Sequence, residues 1–330
     1  MKKRIRFACA LLVMLSMTGM LFAQASYEQR KAAAEGDVTV RMAVMQGPTG
    51  FSSIGLTRDG GAVSDNVTVE LSVYPSPNEV IARLASGELD MAALPTNTAA
   101  NLYNKGIAVK AAAVVGEGML KVLSSDASIQ EVSGLVGKTL AIPGANGTPD
   151  QMSQILIRAA GLEADKDIVL DYSVAAPAQL AQLVIGGKIS TAILPEPFVT
   201  MVLNRNPNVR VVADVQMLWS EMVGKGNYPM SVLVVTDAFR AKHPYAWQQV
   251  ISAYMDSVEW VNSAPAEAGA AIEAAGIMNA AMAVPAIPNC ALVFRTAQDA
   301  KGDMQTYFKT LFDYSPNSIG GKLPDEAFYL

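Results

Sequence analysis

The chain has 330 residues, of which 51% are hydrophobic and 17% charged, a composition typical of a globular protein large enough for two lobes. Its formal net charge of -5, without any Lys- or Arg-rich run beyond the N-terminus, argues against a nucleic-acid-binding surface. One histidine and two cysteines are too few for the usual zinc, haem or iron–sulfur sites, so we expect neither a metal nor a cofactor.

The first 25 residues have the pattern of a signal peptide. Basic residues at positions 2, 3, 4 and 6 precede an apolar run over 7–22, and Ala23-Gln24-Ala25 is a small-x-small cleavage site. The run is shorter than the roughly 20 residues of a membrane-spanning helix, and the residues before Cys9 do not form a lipobox. We therefore predict an exported, unanchored protein, cleaved near Ala25 and held in the periplasm, with Cys290 as its single, buried thiol.

Strand and helix patterns alternate from residue 38 to residue 115. Strands are predicted at 38–45, 67–73, 89–94 and 109–115, and helices follow the turn at 47–50, begin near residue 77 and cover 96–103. Because the strands are apolar almost without interruption, they favour a parallel sheet covered by helices on both faces.

A second alternating series begins after Gly116-Glu117-Gly118. It has predicted strands at 120–123, 139–142, 189–194, 209–212 and 231–235, and helices at 149–160 and 177–185. From residue 237 the sequence is helical, and its apolar face would pack back on the first series; that face comprises Trp247, Val250, Ile251, Tyr254, Val258 and Val261.

The sequence thus predicts an α/β fold of two doubly wound lobes joined by a hinge. Lobe one would contain residues 38–116 and 237–330, and lobe two, inserted in it, residues 117–236. Glycines absorb backbone rotation at little steric cost, so 116–118 is a candidate hinge; an ordinary turn at a strand end is the alternative.

Motifs for catalysis are incomplete in this sequence. Residues 134–139 end in Gly-Lys-Thr, but Val132 stands where a phosphate-binding loop has its first glycine. Residues 50–55 miss the Gly-x-Ser-x-Gly spacing by one, and His243 has no evident partner for a triad. Glu117 and Glu196 could converge as a carboxylate pair, with single surface or hinge roles as the alternative.

Five loops follow the carboxyl ends of predicted strands, where doubly wound sheets bind their ligands. They are 46–51, 75–78, 95–97, 144–148 and 195–198, and they are rich in Gly, Pro and short polar residues. Such residues either contact a ligand beside helix N-termini or only cap those helices. Thr148-Pro149-Asp150-Gln151 has the sequence of a capping box, with Pro at the first helical position.

Motifs spread over nearly the whole chain carry a family resemblance. They are Val-Arg-Met-Ala-Val-Met before Gly-Pro-Thr-Gly, the segments 87–95, 135–142 and 187–197, and Phe239 followed by His243-Pro244. In this order they resemble the periplasmic binding proteins of nitrate, sulfonate, taurine and thiamine-pyrimidine importers. The resemblance implies a type II periplasmic-binding fold that closes on a small solute and delivers it to an inner-membrane ABC permease and its ATPase. It places ligand contacts at 47–51, 95–97 and 145–148.

The five loops depart from the anion-binding members in one respect. None contains Lys or Arg, whereas sulfonate or nitrate binders are expected to offer positive charge. We therefore expect a neutral, zwitterionic or cationic solute, such as a thiamine-pyrimidine-like heterocycle, that stacks on aromatic rings unless those rings belong to the core. The candidate ligand-binding residues are Gln46, Pro48, Thr49, Gly50, Phe51, Ser76, Pro95, Thr96, Asn97, Glu117, Asn146, Gly147, Thr148, Glu196, Phe198, Trp219 and Tyr228.

Three alternatives stay open at this point. The chain could bind sulfonate, taurine or nitrate, as the resemblance allows. It could be an enzyme of the pyrimidine-precursor or menaquinone-pathway type, which has a related fold, although the signal peptide argues against this. It could also present its ligand to a membrane receptor. We expect a monomer in each case.

Overall fold

The structure is a computed structural model that describes residues 35–75, 77–224 and 226–330. The predicted signal peptide and Ser76 therefore lie outside the described residues. The strands are β1 Val38–Met45, β2 Ala62–Ser64, β3 Val67–Tyr74, β4 Met91–Pro95, β5 Val109–Glu117, β6 Leu120–Ser124, β7 Thr139–Ala141, β8 Val169–Asp171, β9 Thr191–Pro195, β10 Arg210–Asp214, β11 Pro229–Thr236 and β12 Leu292–Thr296.

Helices connect and cover these strands. They are α1 Pro48–Ser53, α2 Pro77–Ala85, α3 Thr96–Asn104, α4 Thr148–Ala159, α5 Pro177–Ile185, α6 Phe198–Arg205, α7 Val215–Val223, α8 Asp237–Lys242, α9 Ala246–Ser263, α10 Pro265–Ala274, α11 Ala280–Ala286 and α12 Lys301–Tyr314. Short 3-10 turns include Ile54–Gly61 and Ile287–Asn289.

Within the described residues, the strands form two sheets. The seven-stranded sheet has the order β12-β5-β11-β4-β1-β3-β2, and the five-stranded sheet the order β10-β6-β9-β7-β8. In the first sheet β1 is parallel to β3 and β4, and in the second β7 is parallel to β8 and β9. This confirms the predicted α/β fold with its parallel, helix-covered strands.

The return of the chain from the second sheet differs from the prediction. Strand β11 pairs antiparallel with both β4 and β5, so it belongs to the seven-stranded sheet and does not close the second series. Strand β12, in a segment expected to be helical, pairs antiparallel with β5. The first sheet is therefore mixed: β11 returns to it from the second sheet, and β12 joins it after the helices α8 to α11.

Burial explains why these elements pack as they do. On one face of the seven-stranded sheet, α9 buries Val250, Tyr254, Val258 and Val261, the apolar face that its sequence spacing predicts. On the other face a core continues from the first sheet into the second, through Leu94, Leu120, Ile193 and Trp219. No helix in the described ranges is long and apolar enough to cross a membrane.

The two glycines at 116–118 lie where the chain passes from the first sheet to the second. A Cβ on Gly116 would come within 2.5 Å of Ser231 Oγ, and one on Gly118 within 2.2 Å of the Tyr228 ring. Neither glycine is among the described residues with positive φ. Both therefore permit close packing at the crossover, which is a different role from the backbone freedom that suggested a hinge.

Candidate functional site

Loops of the two sheets meet face to face. Asn97, at the start of α3, accepts a hydrogen bond from the hydroxyl of Thr148, at the start of α4, with 3.2 Å between Oδ1 and Oγ1. A Cβ on Gly47, after β1, would lie 3.7 Å from Pro197 Cδ, after β9. Thus the ends of β1 and β4 in one sheet adjoin α4 and the end of β9 in the other.

The loop after β1 is ordered by its own hydrogen bonds. Thr49 Oγ1 accepts from the Met45 amide at 3.0 Å and donates to the Met45 carbonyl at 3.1 Å. Pro48 occupies the first turn of α1, and Gly50 is buried where a Cβ would meet the Met45 carbonyl at 2.9 Å. Gln46 is exposed at the end of this strand.

The loop after β4 is almost fully buried. Thr96 and Asn97 are 0% and 4% exposed, and Pro95 precedes them as the N-cap of α3. Whereas Asn97 bonds to Thr148, the Thr96 hydroxyl has no hydrogen-bond partner among the described residues.

The predicted capping box at the start of α4 does not form. Gly147 is the N-cap residue, and Thr148 lies inside the helix with its hydroxyl directed to Asn97. Asp150 instead accepts from the amide of Asn146, which has a φ of 63°. The Asn146 amide is therefore hydrogen-bonded within the loop, and the Thr148 hydroxyl is available for the contact with Asn97 across the sheets.

Glu196 is the one ionisable residue of the five loops, and it is 1% exposed. Its Oε2 accepts from the Thr200 amide at 3.0 Å. Burial raises the pKa of this carboxyl, an effect that the Thr200 hydrogen bond and Lys121 oppose. Phe198, two residues later, is partly buried against the core of the second sheet.

Glu117 is engaged elsewhere. Its Oε1 lies 2.9 Å from Arg295 Nη1, and its Oε2 accepts from Asn227 Nδ2. Since both oxygens have partners at the crossover, we interpret Glu117 as a residue of the crossover and not as the acid–base partner of Glu196.

Three of the four candidate stacking rings belong to the hydrophobic core. Phe51, Trp219 and Tyr228 are 0%, 1% and 0% exposed. Trp219 contacts Tyr228 and Tyr307 in edge-on geometry, with both centroid distances 5.9 Å. These three rings therefore have the core role that the sequence left open as an alternative to ligand stacking. Phe198 is the candidate ring that is partly exposed.

Residues 33–278 match the model of the NMT1-like family. This chain belongs to the NMT1-like family. A comparison with curated proteins gives no match.

Solved structures share the fold of this NMT1-like chain. An ABC transporter protein from Parabacteroides distasonis is 25% identical, with 89% of this chain and 99% of that chain covered and a TM-score of 0.75. The periplasmic aliphatic sulphonate binding protein of Escherichia coli shares the fold at 14% identity, with 88% and 90% coverage and a TM-score of 0.68. The periplasmic nitrate-binding protein of Synechocystis does so at 14%, with 84% and 82% coverage and a TM-score of 0.63. The resemblance predicted from the sequence motifs is therefore confirmed, and by name these neighbours are transport and binding proteins, not enzymes.

Two cations of this NMT1-like chain, Arg295 beside Glu117 and Lys121 close enough to act on Glu196, are already paired with carboxylates. Arg295 lies 2.9 Å from Glu117 and 2.7 Å from Asp303. Lys121 lies 2.5 Å from Asp214. Each cation thus has at least one carboxylate partner. The ionisable group within the five loops is the carboxyl of Glu196.

Sequence reasoning missed several polar residues at the junction of the sheets. Among the described side chains, Gln151 Oε1, Ser231 Oγ and Tyr307 OH are buried without a hydrogen-bond partner, like Thr96 Oγ1. Ser231 is the register partner of Pro95, at the edge of the sheet where the loops lie. Gln151 was visible only as part of a capping motif, and Tyr307 carries no local signal because it comes from α12, far along the chain.

Proposed function

We propose that this chain is the solute-binding component of an ABC importer, which captures a small solute between two lobes and delivers it to a permease and ATPase of the inner membrane. One observation carries the proposal: the Thr148–Asn97 hydrogen bond joins helix starts from opposite sheets at the point where the site loops meet. A site between two sheets lets the lobes enclose a ligand by moving relative to each other.

We further propose that the solute is neutral, zwitterionic or cationic. Without Lys or Arg in the loops, and with Arg295 and Lys121 paired to carboxylates, an anion would receive little compensating charge. Glu196 favours an amine or a ring nitrogen instead. The thiamine-pyrimidine-like heterocycle is one such solute, and Phe198 is the ring best exposed to stack on it.

The candidate contacts that support this proposal are fewer than the sequence offered. Thr49, Gly50, Thr96, Asn97, Gly147, Thr148, Glu196 and Phe198 line the meeting loops, with Gln46, Pro48, Pro95 and Asn146 at their rims. The lobes would be 38–116 with 237–330, and 117–236 apart from β11. Export to the periplasm, a monomeric state and contact with a permease belong to the same proposal.

A ligand panel tests the charge of the solute. Differential scanning fluorimetry and calorimetry would compare hydroxymethylpyrimidine, an alkylamine and taurine with ethanesulfonate and nitrate. A ligand at about 100 times its Kd stabilises the folded state by about 2.7 kcal/mol, so binding is visible as a rise in melting temperature. We expect stabilisation by the uncharged, amine or zwitterionic compounds. Stabilisation by ethanesulfonate and nitrate alone would contradict the proposed charge, and stabilisation by taurine together with ethanesulfonate would favour the sulfonate, taurine or nitrate alternative.

A second measurement tests the binding mechanism itself. Small-angle X-ray scattering of the protein with and without the stabilising compound should show a smaller radius of gyration in the complex, because closure brings the lobes together. Turnover of the compound by the protein alone would instead support the enzymatic alternative.

A further inference from the structure

Of the buried polar atoms at the junction of the sheets that have no hydrogen-bond partner among the described residues, three lie on the helices α3, α4 and α12. They are Thr96 Oγ1, Gln151 Oε1 and Tyr307 OH, on residues that are 0%, 3% and 0% exposed. A buried polar group without a hydrogen bond is costly, and native proteins keep few of them. Each such atom therefore calls for an explanation in terms of what it contacts.

Each of the three residues adjoins one partner of the hydrogen bond between Asn97 and Thr148. Thr96 is the chain neighbour of Asn97, and Gln151 lies one helical turn after Thr148 on the same face of α4. Burial raises the pKa of Tyr307, and the Thr148 hydroxyl lies near enough to oppose this increase without reaching hydrogen-bond geometry. Thus α3, α4 and α12 each contribute one atom to the same region.

We propose that Thr96, Gln151 and Tyr307 form a ligand subsite for an uncharged polar group that carries at least one N–H or O–H donor. This inference rests on the proposed solute-binding function and defines the solute more narrowly. It also assigns a ligand contact to the C-terminal helix α12.

The chemistry of the three atoms sets the ligand class. Gln151 Oε1 only accepts hydrogen bonds, so its partner must donate one, whereas the two hydroxyls both donate and accept. Nitrate and the head group of an ionised sulfonate offer acceptors alone and would leave Gln151 unpaired. The carboxylate on α4, Asp150, already accepts from Gln154 and Tyr172 at Oδ1 and from the Asn146 amide at Oδ2, so both of its oxygens have donors without the ligand.

The variants Tyr307→Phe and Thr96→Val test the subsite, because each removes one hydroxyl and nearly preserves shape. Tyr254→Phe is the matched control, since Tyr254 is also fully buried but its hydroxyl lies 2.7 Å from Ser52 Oγ. Melting temperatures of the ligand-free proteins come first. We expect Tyr307→Phe and Thr96→Val to melt at or above the wild-type temperature, because they remove an unsatisfied group, and Tyr254→Phe to melt about 2 °C or more below it. A similar loss in Tyr307→Phe and Thr96→Val would overturn the proposal.

Calorimetric titration with hydroxymethylpyrimidine, ethanesulfonate and nitrate provides the second arm. We expect hydroxymethylpyrimidine to bind the wild type and Tyr254→Phe alike, and to bind Tyr307→Phe and Thr96→Val about five- to tenfold more weakly, which is the effect of one lost neutral hydrogen bond. Equal affinity for all four proteins would overturn the subsite and leave the binding function intact. Wild-type binding of ethanesulfonate or nitrate alone would overturn the donor requirement. If the wild type binds none of the three, the proposed solute class fails, and the melting temperatures still decide whether the hydroxyls are structural.

Discussion

Arg295 Nη1 lies 2.9 Å from Glu117 Oε1, and this ion pair joins β12 to the end of β5, where the chain leaves the seven-stranded sheet. The same guanidinium lies 2.7 Å from Asp303 on α12. Asn227, before β11, donates to the other oxygen of Glu117. Glu117 thus joins the outgoing segment of the chain to the returning one, and Arg295 connects Glu117 to β12 and α12.

Removing Arg295 should destabilise the protein more than removing an exposed cation. In Arg295→Met, two carboxylates lose their charged partner, and we expect a loss of about 2 kcal/mol in the free energy of unfolding, measured with urea. The control Lys309→Met breaks a pair whose side chains are 60% and 57% exposed, and should cost under about 0.5 kcal/mol. Equal losses in the two variants would show that the Arg295 pairs contribute no more than surface ion pairs.

Gly118 should not tolerate a side chain. A Cβ there would lie 2.2 Å from Tyr228 Cε1 and 2.3 Å from Gln216 Oε1, both held in a packed crossover. We expect Gly118→Ala to lower the free energy of unfolding by about 1–3 kcal/mol through overpacking. Gly302→Ala is the control, because a Cβ on this helical glycine meets nothing within 4 Å and should be neutral or stabilising. An unchanged free energy of unfolding in Gly118→Ala would mean that Tyr228 and Gln216 move aside at little cost, as expected at a flexible hinge.

The sequence predicted those parts of the fold that depend on local pattern. The apolar spacing of Val250, Tyr254 and Val258 identified the buried face of α9, since helical period and burial are linked along one element. The apolar run of β4 located this strand and the loop after it, which made Thr96 and Asn97 candidate site residues. The rule that ligands bind at the carboxyl ends of strands selected the five loops, and their contact with a ligand stays a prediction.

What the sequence did not predict depends on contacts between distant residues. The antiparallel pairing of β11 and β12 with β5 involves partners more than 100 residues apart, and no local pattern specifies strand direction. Tyr307 resembles any core aromatic residue of an amphipathic helix, and only its position beside Thr148 distinguishes it. The sequence at Thr148 predicted a helix cap, but its hydroxyl donates instead to Asn97, which follows a strand of the other sheet.

Cys290 should be unreactive in the native protein. It is fully buried, and burial, together with the nearby Glu196 carboxylate, raises the pKa of its thiol well above 9.0. Because the thiolate is the reactive form, we expect no maleimide labelling of Cys290 in native protein produced without residues 1–25, and complete labelling in denaturant, measured by mass spectrometry. The variant Ser86→Cys adds a thiol at an exposed position and should label at once. Rapid labelling of Cys290 in the native state would reveal an opening of the core between α9 and the seven-stranded sheet.

Glu196 should make stability depend on pH in an identifiable direction. Because burial raises its pKa in the folded state above the ordinary value of 4.5, the folded protein binds this proton more tightly than the unfolded chain does. The resulting stabilisation is fully present below pH 4.5 and is lost as the pH rises through the folded-state pKa. We therefore expect Glu196→Gln, which keeps an acceptor for the Thr200 amide, to be more stable than the wild type at pH near 7, with the difference shrinking as the pH falls towards 4.5. Urea unfolding of both proteins across this range measures the difference. A less stable Glu196→Gln at neutral pH would mean that the carboxylate has stronger stabilising partners than Thr200 and Lys121.

The same variant should also change solute binding. We expect Glu196→Gln to lose affinity for a cationic solute and to keep its affinity for a neutral one, because only the cationic solute depends on the negative charge of Glu196.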